Sequence, residues 1–348
     1  MDTRRRRFTR GAHETRWIAV ALLMVMVALA PSCTKPLLPA KGGNKEVVVL
    51  TPPDVWSRIE ASLKEELERT VVILEAEQVF VVEHVDTLVF SEEGANRRNV
   101  LLVAPADAGG SVRRALEDAV GRDGLGAVSE PAIFVRRNVW ARNQAVISLV
   151  APNADRLVAA VDQLGDSLYA AMTMEVEDRV RRTLYLRGYK KPLAERFASE
   201  YGWSIRVPSG FQIRDENPAA GFVSFIQHYP ERQLFIHWGR VGRDVEIAPS
   251  HSLELRARLA AEFYGDSTDI DGSRWERGRF VGREAMILKG RWMNSGQMVG
   301  GPFWTYCFRG RGGERLYLID LVVVAPGEDK YPPLRQLSVI ARTFEEMP

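Results

Sequence analysis

The stretch GPFWTYCFRGRGGERLYLIDLVVVAPG, residues 301–327, sets two runs of aromatic and aliphatic residues on either side of a glycine-rich break at 309–313. Two β-prone runs around such a break are the sequence sign of a β-hairpin. The stretch also carries Cys307 and, inside its second apolar run, Asp320. A rival reading makes it a reactive centre, with Cys307 as nucleophile and Asp320 as its partner. The hairpin is the better reading. If paired residue numbers sum to 624, Phe308 lies opposite Leu316, Tyr306 opposite Leu318 and Trp304 opposite Asp320. Cys307 then shares the other face with Phe303 and Thr305; a slip of one residue would exchange the faces. A thiol packed in that way is a small hydrophobe, because reactivity needs a thiolate favoured by positive charge and by water.

An unpaired buried carboxylate costs several kcal/mol, so Asp320 needs a partner. The indole N–H of Trp304, a backbone amide, or an arginine such as Arg291 or Arg335 could supply it. A satisfied core hydrogen bond is one outcome. A carboxylate at the rim of a ligand-binding cleft, with Trp292, Trp304, Tyr306 and Arg335 beside it, is the other.

Working outward, the chain falls into two halves. EVVVL and NVLLVAP are continuous apolar runs of the kind found in strands buried on both faces. Val55, Ile59, Leu63 and Leu67 mark a helix after the first, EQVFVVEHV reads as a strand, and a second helix covers about 111–120. Leu157, Val161, Leu164, Leu168, Met172, Val176, Val180 and Leu184 then recur every three or four residues, the stripe of one long amphipathic helix. Asn153 suits its N-cap, and Glu175–Arg179, Glu177–Arg181 and Asp178–Arg182 suit i,i+4 pairs on its outer face. Gly188 to Pro192 end that helix. Beyond them strands predominate, interrupted by a helix from Ser250 to about Tyr264 and closed by one from Pro332 carrying Leu334, Leu337, Ile340 and Phe344. The expectation is an α+β protein: an N-terminal α/β sandwich domain over 46–190, then an antiparallel sheet with packed helices over 191–348.

At the N-terminus, six arginines (Arg4, Arg5, Arg6, Arg7, Arg10 and Arg16) precede an apolar run from Trp17 to Ala30. That run is short for a bilayer-spanning helix, which needs about 20 residues. It suits a signal peptide over 1–32. ALAPSC resembles a bacterial lipobox, which makes Cys33 the lipidated first residue of the mature chain, although Ala30 stands where Leu is usual. A plain secretory cleavage is the alternative, and Arg5, Arg6 and Phe8 also fit a twin-arginine signal. Residues 33–45, rich in Pro, Gly and Lys, read as a tether. Loss of 1–32 takes six Arg, Asp2 and Glu14, moving the formal charge from +2 to −2. Such a chain has no electrostatic claim on nucleic acid.

The spacing of His84, His228, His237 and His251 gives no metal motif, and no phosphate-binding glycine loop or nucleophile elbow occurs. No cofactor is expected. WSIRVPSGF, with the element order over about 198–345, resembles the photosystem-II P protein and Mog1-like proteins, which implies an accessory or binding role. EVVVL, RRNVLLVAP, NVWARNQAVISLVAP, GGPFWTYCF and LIDLVVVAPGEDKYPPLRQL together resemble a family of uncharacterised Bacteroidota lipoproteins. This implies a cell-envelope protein, anchored by lipid and acting through a protein partner, with no activity to carry over. A thiol hydrolase built on Cys307 and a small-ligand binder are the competing classes. Cys33→Ser is expected to move the protein from the membrane to the soluble fraction of fractionated cells, with loss of the acyl mass from its N-terminal peptide; an unchanged distribution would refute the anchor.

Overall fold

Runs such as VVVL and VLLVA, apolar without alternation, need cover on both faces. A computed structural model, which describes residues 36–86, 96–243 and 246–348, supplies that cover. The expected signal peptide and Cys33 lie outside the described residues. Glu46–Thr51 (β1) feeds helix Pro53–Leu67 (α1). A small hairpin, Thr70–Val72 (β2) and Ala76–Gln78 (β3), leads to Val81–Asp86 (β4). EQVFVVEHV is therefore two strands and not one, because Val79 and Phe80 between them turn into the core. Asn99–Pro105 (β5), helices Gly110–Ala119 (α2) and Arg122–Gly126 (α3), and strands Ala132–Arg137 (β6) and Ala145–Ala151 (β7) follow. The order is β4-β1-β5-β7-β6, parallel except for β6 against β7. The long helix Ala154–Leu184 (α4) packs with α1 on one face, and α2 and α3 cover the other.

Asn153 caps α4 by accepting the Arg156 amide, and the stripe from Leu157 to Val180 is buried. The expected outer-face pairs mostly do not form. Asp178 does bind Arg182, but Glu175 takes Arg137 at 2.7 Å and Glu177 takes Arg342 at 2.9 Å. Glu175 and Arg179 sit three and seven places after Met172, which puts both on the buried stripe. Arg179 donates to Asn99 Oδ1 at 2.8 Å and Asn44 Oδ1 at 3.1 Å. The C-terminal part of the expected tether is also corrected. The amide of Ala40 bonds the carbonyl of Arg142 and that of Lys41 bonds Asn96, at 2.8 and 2.7 Å, so Pro39–Asn44 are part of the fold.

Pro192 does not merely end α4; it stands in the first turn of a further helix, Lys191–Glu200 (α5), where a missing N–H costs nothing. Trp203–Ser204 (β8), Gln212–Asn217 (β9), Phe222–Gln227 (β10) and Glu231–Arg240 (β11) come next. Helix Pro249–Tyr264 (α6) is followed by Ser267–Thr268 (β12), Arg274–Phe280 (β13), Arg283–Asn294 (β14), Val299–Arg309 (β15) and Arg315–Val324 (β16). Helix Tyr331–Ala341 (α7) and Glu345–Glu346 (β17) complete the chain. The large sheet runs β12-β14-β15-β16-β11-β10-β9, with β13 also against β14, and every pairing is antiparallel. α6 covers one face, while α5 and α7 cover the other.

The chain is α+β, as its element order implies. Residues Pro39–Pro348 form one compact unit, in which contacts cross the boundary expected near residue 190. Leu334, Leu337 and Ile340 of α7 enter the core of the large sheet, and Val339 enters that of the small one. The Glu77 carboxylate accepts the backbone amides of Lys330 and Tyr331 at 2.8 and 2.9 Å, clasping the start of α7.

Candidate functional site

The quoted stretch is the β15–β16 hairpin, but its register is one residue from the expected one. Thr305 lies opposite Asp320, Tyr306 opposite Ile319 and Trp304 opposite Leu321. That slip carries Asp320 away from Trp304 and onto the face it shares with Cys307, under α6. The five residues expected to share a cleft are therefore split between the two faces. Trp292 and Asp320 lie on the α6 side; Trp304, Tyr306 and Arg335 lie on the α7 side. There Tyr306 Oη and Ser338 Oγ are 3.2 Å apart, and Arg335 donates to Tyr331 Oη at 3.0 Å with its guanidinium 4.5 Å from that ring.

Neither Arg291 nor Arg335 pairs with Asp320. Its partner is Arg256 of α6, and both side chains are 0% exposed. Arg256 Nη2 donates to Asp320 Oδ2 at 3.2 Å, and the guanidinium lies 4.0 Å from the ring centre of Phe303. Thr305 donates its hydroxyl to the same carboxylate. Burial pushes the Asp320 carboxyl up, and Arg256 and Thr305 pull it back. Arg256 has a third role, donating through Nη1 to Thr268 Oγ1 at 2.5 Å. Sequence reasoning missed Arg256, although a signal exists. Ser252, Leu255, Arg256 and Leu259 follow helical spacing and are all buried, so a cation stood on an apolar stripe while an anion stood in an apolar strand.

Thr268 is also a wall of a pocket of about 770 Å³ at the β12–β14–β15 edge. Trp292, Met293, Asn294, Met298 and Val299 form half of the rest. Met298 is 91% exposed and Met293 57%, a large apolar exposure for a lip. Trp292 is buried, and its Nε1, itself closed off from the surface, has no hydrogen-bond partner among the described residues, a state buried indoles seldom keep. Asn294 is fixed from behind, donating to Asp266 Oδ1 at 2.8 Å and to the Tyr264 carbonyl at 2.9 Å. Burial pushes the Asp266 carboxyl up against the pull of that amide. At the rim, Arg291 holds Asp269 at 2.7 Å. The arrangement is an apolar mouth with a few fixed polar groups, the general form of a small-molecule site. Among the described residues no cluster of His, Cys, Asp and Glu could hold a metal ion.

Cys307 is fully buried, and burial pushes its thiol up to about 11 while a hydrogen bond with Ser252 pulls it down. It faces the core formed by α6 and carries no feature of a reactive thiol.

With this geometry in view, comparison with known proteins adds the following. Residues 40–184 match a family described as "Domain of unknown function (DUF8532)", and residues 190–343 match "Domain of unknown function (DUF4837)". None of the curated proteins matches the chain. Among solved structures, a protein from Bacteroides thetaiotaomicron is similar at 9% identity and a TM-score of 0.28, covering 42% of this chain and 46% of its own. The chain thus spans less than half of that relative. LpqN, involved in cell envelope biogenesis of Mycobacterium tuberculosis, is similar at 15% identity and a TM-score of 0.29, over 42% of this chain and 83% of its own. The Ran-binding protein Mog1p of Saccharomyces cerevisiae gives 12% and 0.27, over 42% and 90%.

Two outcomes are expected. Asp320→Ala strands a buried guanidinium and should cost about 3–5 kcal/mol in urea unfolding, whereas the double variant Arg256→Met/Asp320→Leu should recover most of it; equal losses in both would show that the pair is not coupled. Cys307 should resist iodoacetamide at neutral pH in the native protein and react on unfolding. Labelling faster than unfolding would contradict its burial.

Proposed function

We propose that this is a lipid-anchored binding protein of the cell envelope that acts without covalent chemistry. It would take a small, mainly apolar ligand into the pocket at the β12–β14–β15 edge. One observation carries the reading: the pocket's lip is two exposed methionines, Met293 and Met298, beside the side chain of Trp292. The flexible thioethers would adapt to the ligand's apolar surface. Thr268 and Asn294, tied respectively to Arg256 and Asp266, would hold the wall in shape, so little ordering would be needed on binding.

The envelope location rests on the apolar run ahead of Cys33 and on the lipobox-like ALAPSC. No helix among the described residues is long and apolar enough to cross a membrane. The competing thiol-hydrolase reading gains nothing from a sulfur that is buried and held as the neutral thiol.

The test is a fluorescence titration with the apolar dye Nile red. The protein should enhance its emission saturably, and Met293→Lys/Met298→Lys should weaken binding at least tenfold, about 1.4 kcal/mol, with the melting temperature unchanged. Emission that does not saturate, or that the double variant leaves intact, would remove the pocket from the proposal.

A further inference from the structure

A second pocket, of about 910 Å³, opens where β13, β14 and the β15–β16 turn meet the loop before α6. Its described lining holds six arginines and two glutamates. The arginines come from separate parts of the chain: Arg277 and Arg279 from β13, Arg283 from β14, Arg309 and Arg311 from the end of β15 and its turn, and Arg243 from the loop. Three of them pair with described carboxylates. Arg243 pairs with Glu314 at 2.7 Å, Arg277 with Glu246 at 2.8 Å and Arg283 with Glu346 at 2.8 Å. Arg309 is held by the carbonyl oxygens of Gly242 and Gly313, at 3.1 and 2.5 Å.

Arg279 and Arg311 differ from these. Among the described residues Arg279 donates to the carbonyl of Gly282, at 2.8 Å, and Glu284, its cross-strand neighbour in the pocket, makes no ion pair with it. Arg311 spends its backbone amide on Glu346 at 2.7 Å, and its guanidinium meets no carboxylate among the described residues. Two exposed forks thus stand in a pocket where, among the described residues, six arginines meet four glutamates, Glu246, Glu284, Glu314 and Glu346. Converging like charges repel unless an anion joins them, and the guanidinium fork matches the paired oxygens of phosphate. Ala285 and Met286 add apolar wall beside them.

We infer that this pocket binds a phosphate-bearing ligand, gripped by Arg279 and Arg311 with Arg309 behind them. The phosphate could belong to a soluble ester or to the headgroup of an anionic phospholipid. Two measurements separate these sources, both on the full chain carrying Cys33→Ser so that no acyl anchor contributes. The first is calorimetric titration with inorganic pyrophosphate at low salt. The second is co-sedimentation with vesicles of phosphatidylcholine alone or mixed equally with phosphatidylglycerol. Wild-type residues at the pocket should bind pyrophosphate, and Arg279→Gln/Arg311→Gln should weaken that binding at least tenfold while leaving the melting temperature and Nile red binding unchanged. Sedimentation that needs phosphatidylglycerol and is lost in the double variant assigns the headgroup; pyrophosphate binding without vesicle binding assigns a soluble ester. Absence of binding in both measurements, or binding that the double variant retains, overturns the inference. Should the double variant unfold, Arg311→Gln alone, at an exposed position of the turn, must still weaken binding for the inference to stand.

Discussion

A single ion pair sealed from water, Arg256 with Asp320, ties α6 to the middle of the large sheet. Removing either partner would leave a bare charge in a medium that solvates it poorly, so the helix and the hairpin have to be in register together. A hydrophobic stripe alone tolerates a small slide, because Leu255 and Leu259 would find other apolar contacts. The guanidinium tolerates none: it serves Asp320, Thr268 and the face of Phe303 at the same time. Through Thr268 this constraint reaches the pocket wall, so the candidate site inherits its geometry from the core and not from a loop.

What the sequence discloses follows from which interactions are local. The hairpin, and the long helix α4 with its Asn153 cap, depend on neighbours within a few residues, and both are legible. The hairpin register is not, since the turn carries three glycines and Gly313 adopts φ 75°, which allows closure in more than one register. One residue of slip decides whether Asp320 faces Trp304 or Thr305. Its true partner lies 64 residues earlier, on a helix whose docking no local pattern encodes. For the same reason a cleft was expected from residues that occupy opposite faces of one sheet.

The two sheets differ in kind yet do not stand apart. The small one is mainly parallel and buried on both sides; the large one is antiparallel. α7 serves both, through Leu337 on one flank and Val339 on another, and Glu77 fixes its first turn. Composition marks a change of character near residue 190, but composition does not report which helix a later segment will cover.

Where the chain enters the small sheet, Arg179 is bound to the side-chain oxygens of Asn44 and Asn99 and, at 3.3 Å, to the Arg98 carbonyl. These acceptors are amides, which carry no proton to gain in acid. Burial lowers the Arg179 pKa to about 10, so below that the cost of burying its charge is already fully present and does not grow as acidity increases. The joint at Asn44 therefore keeps its hold as the medium turns acid.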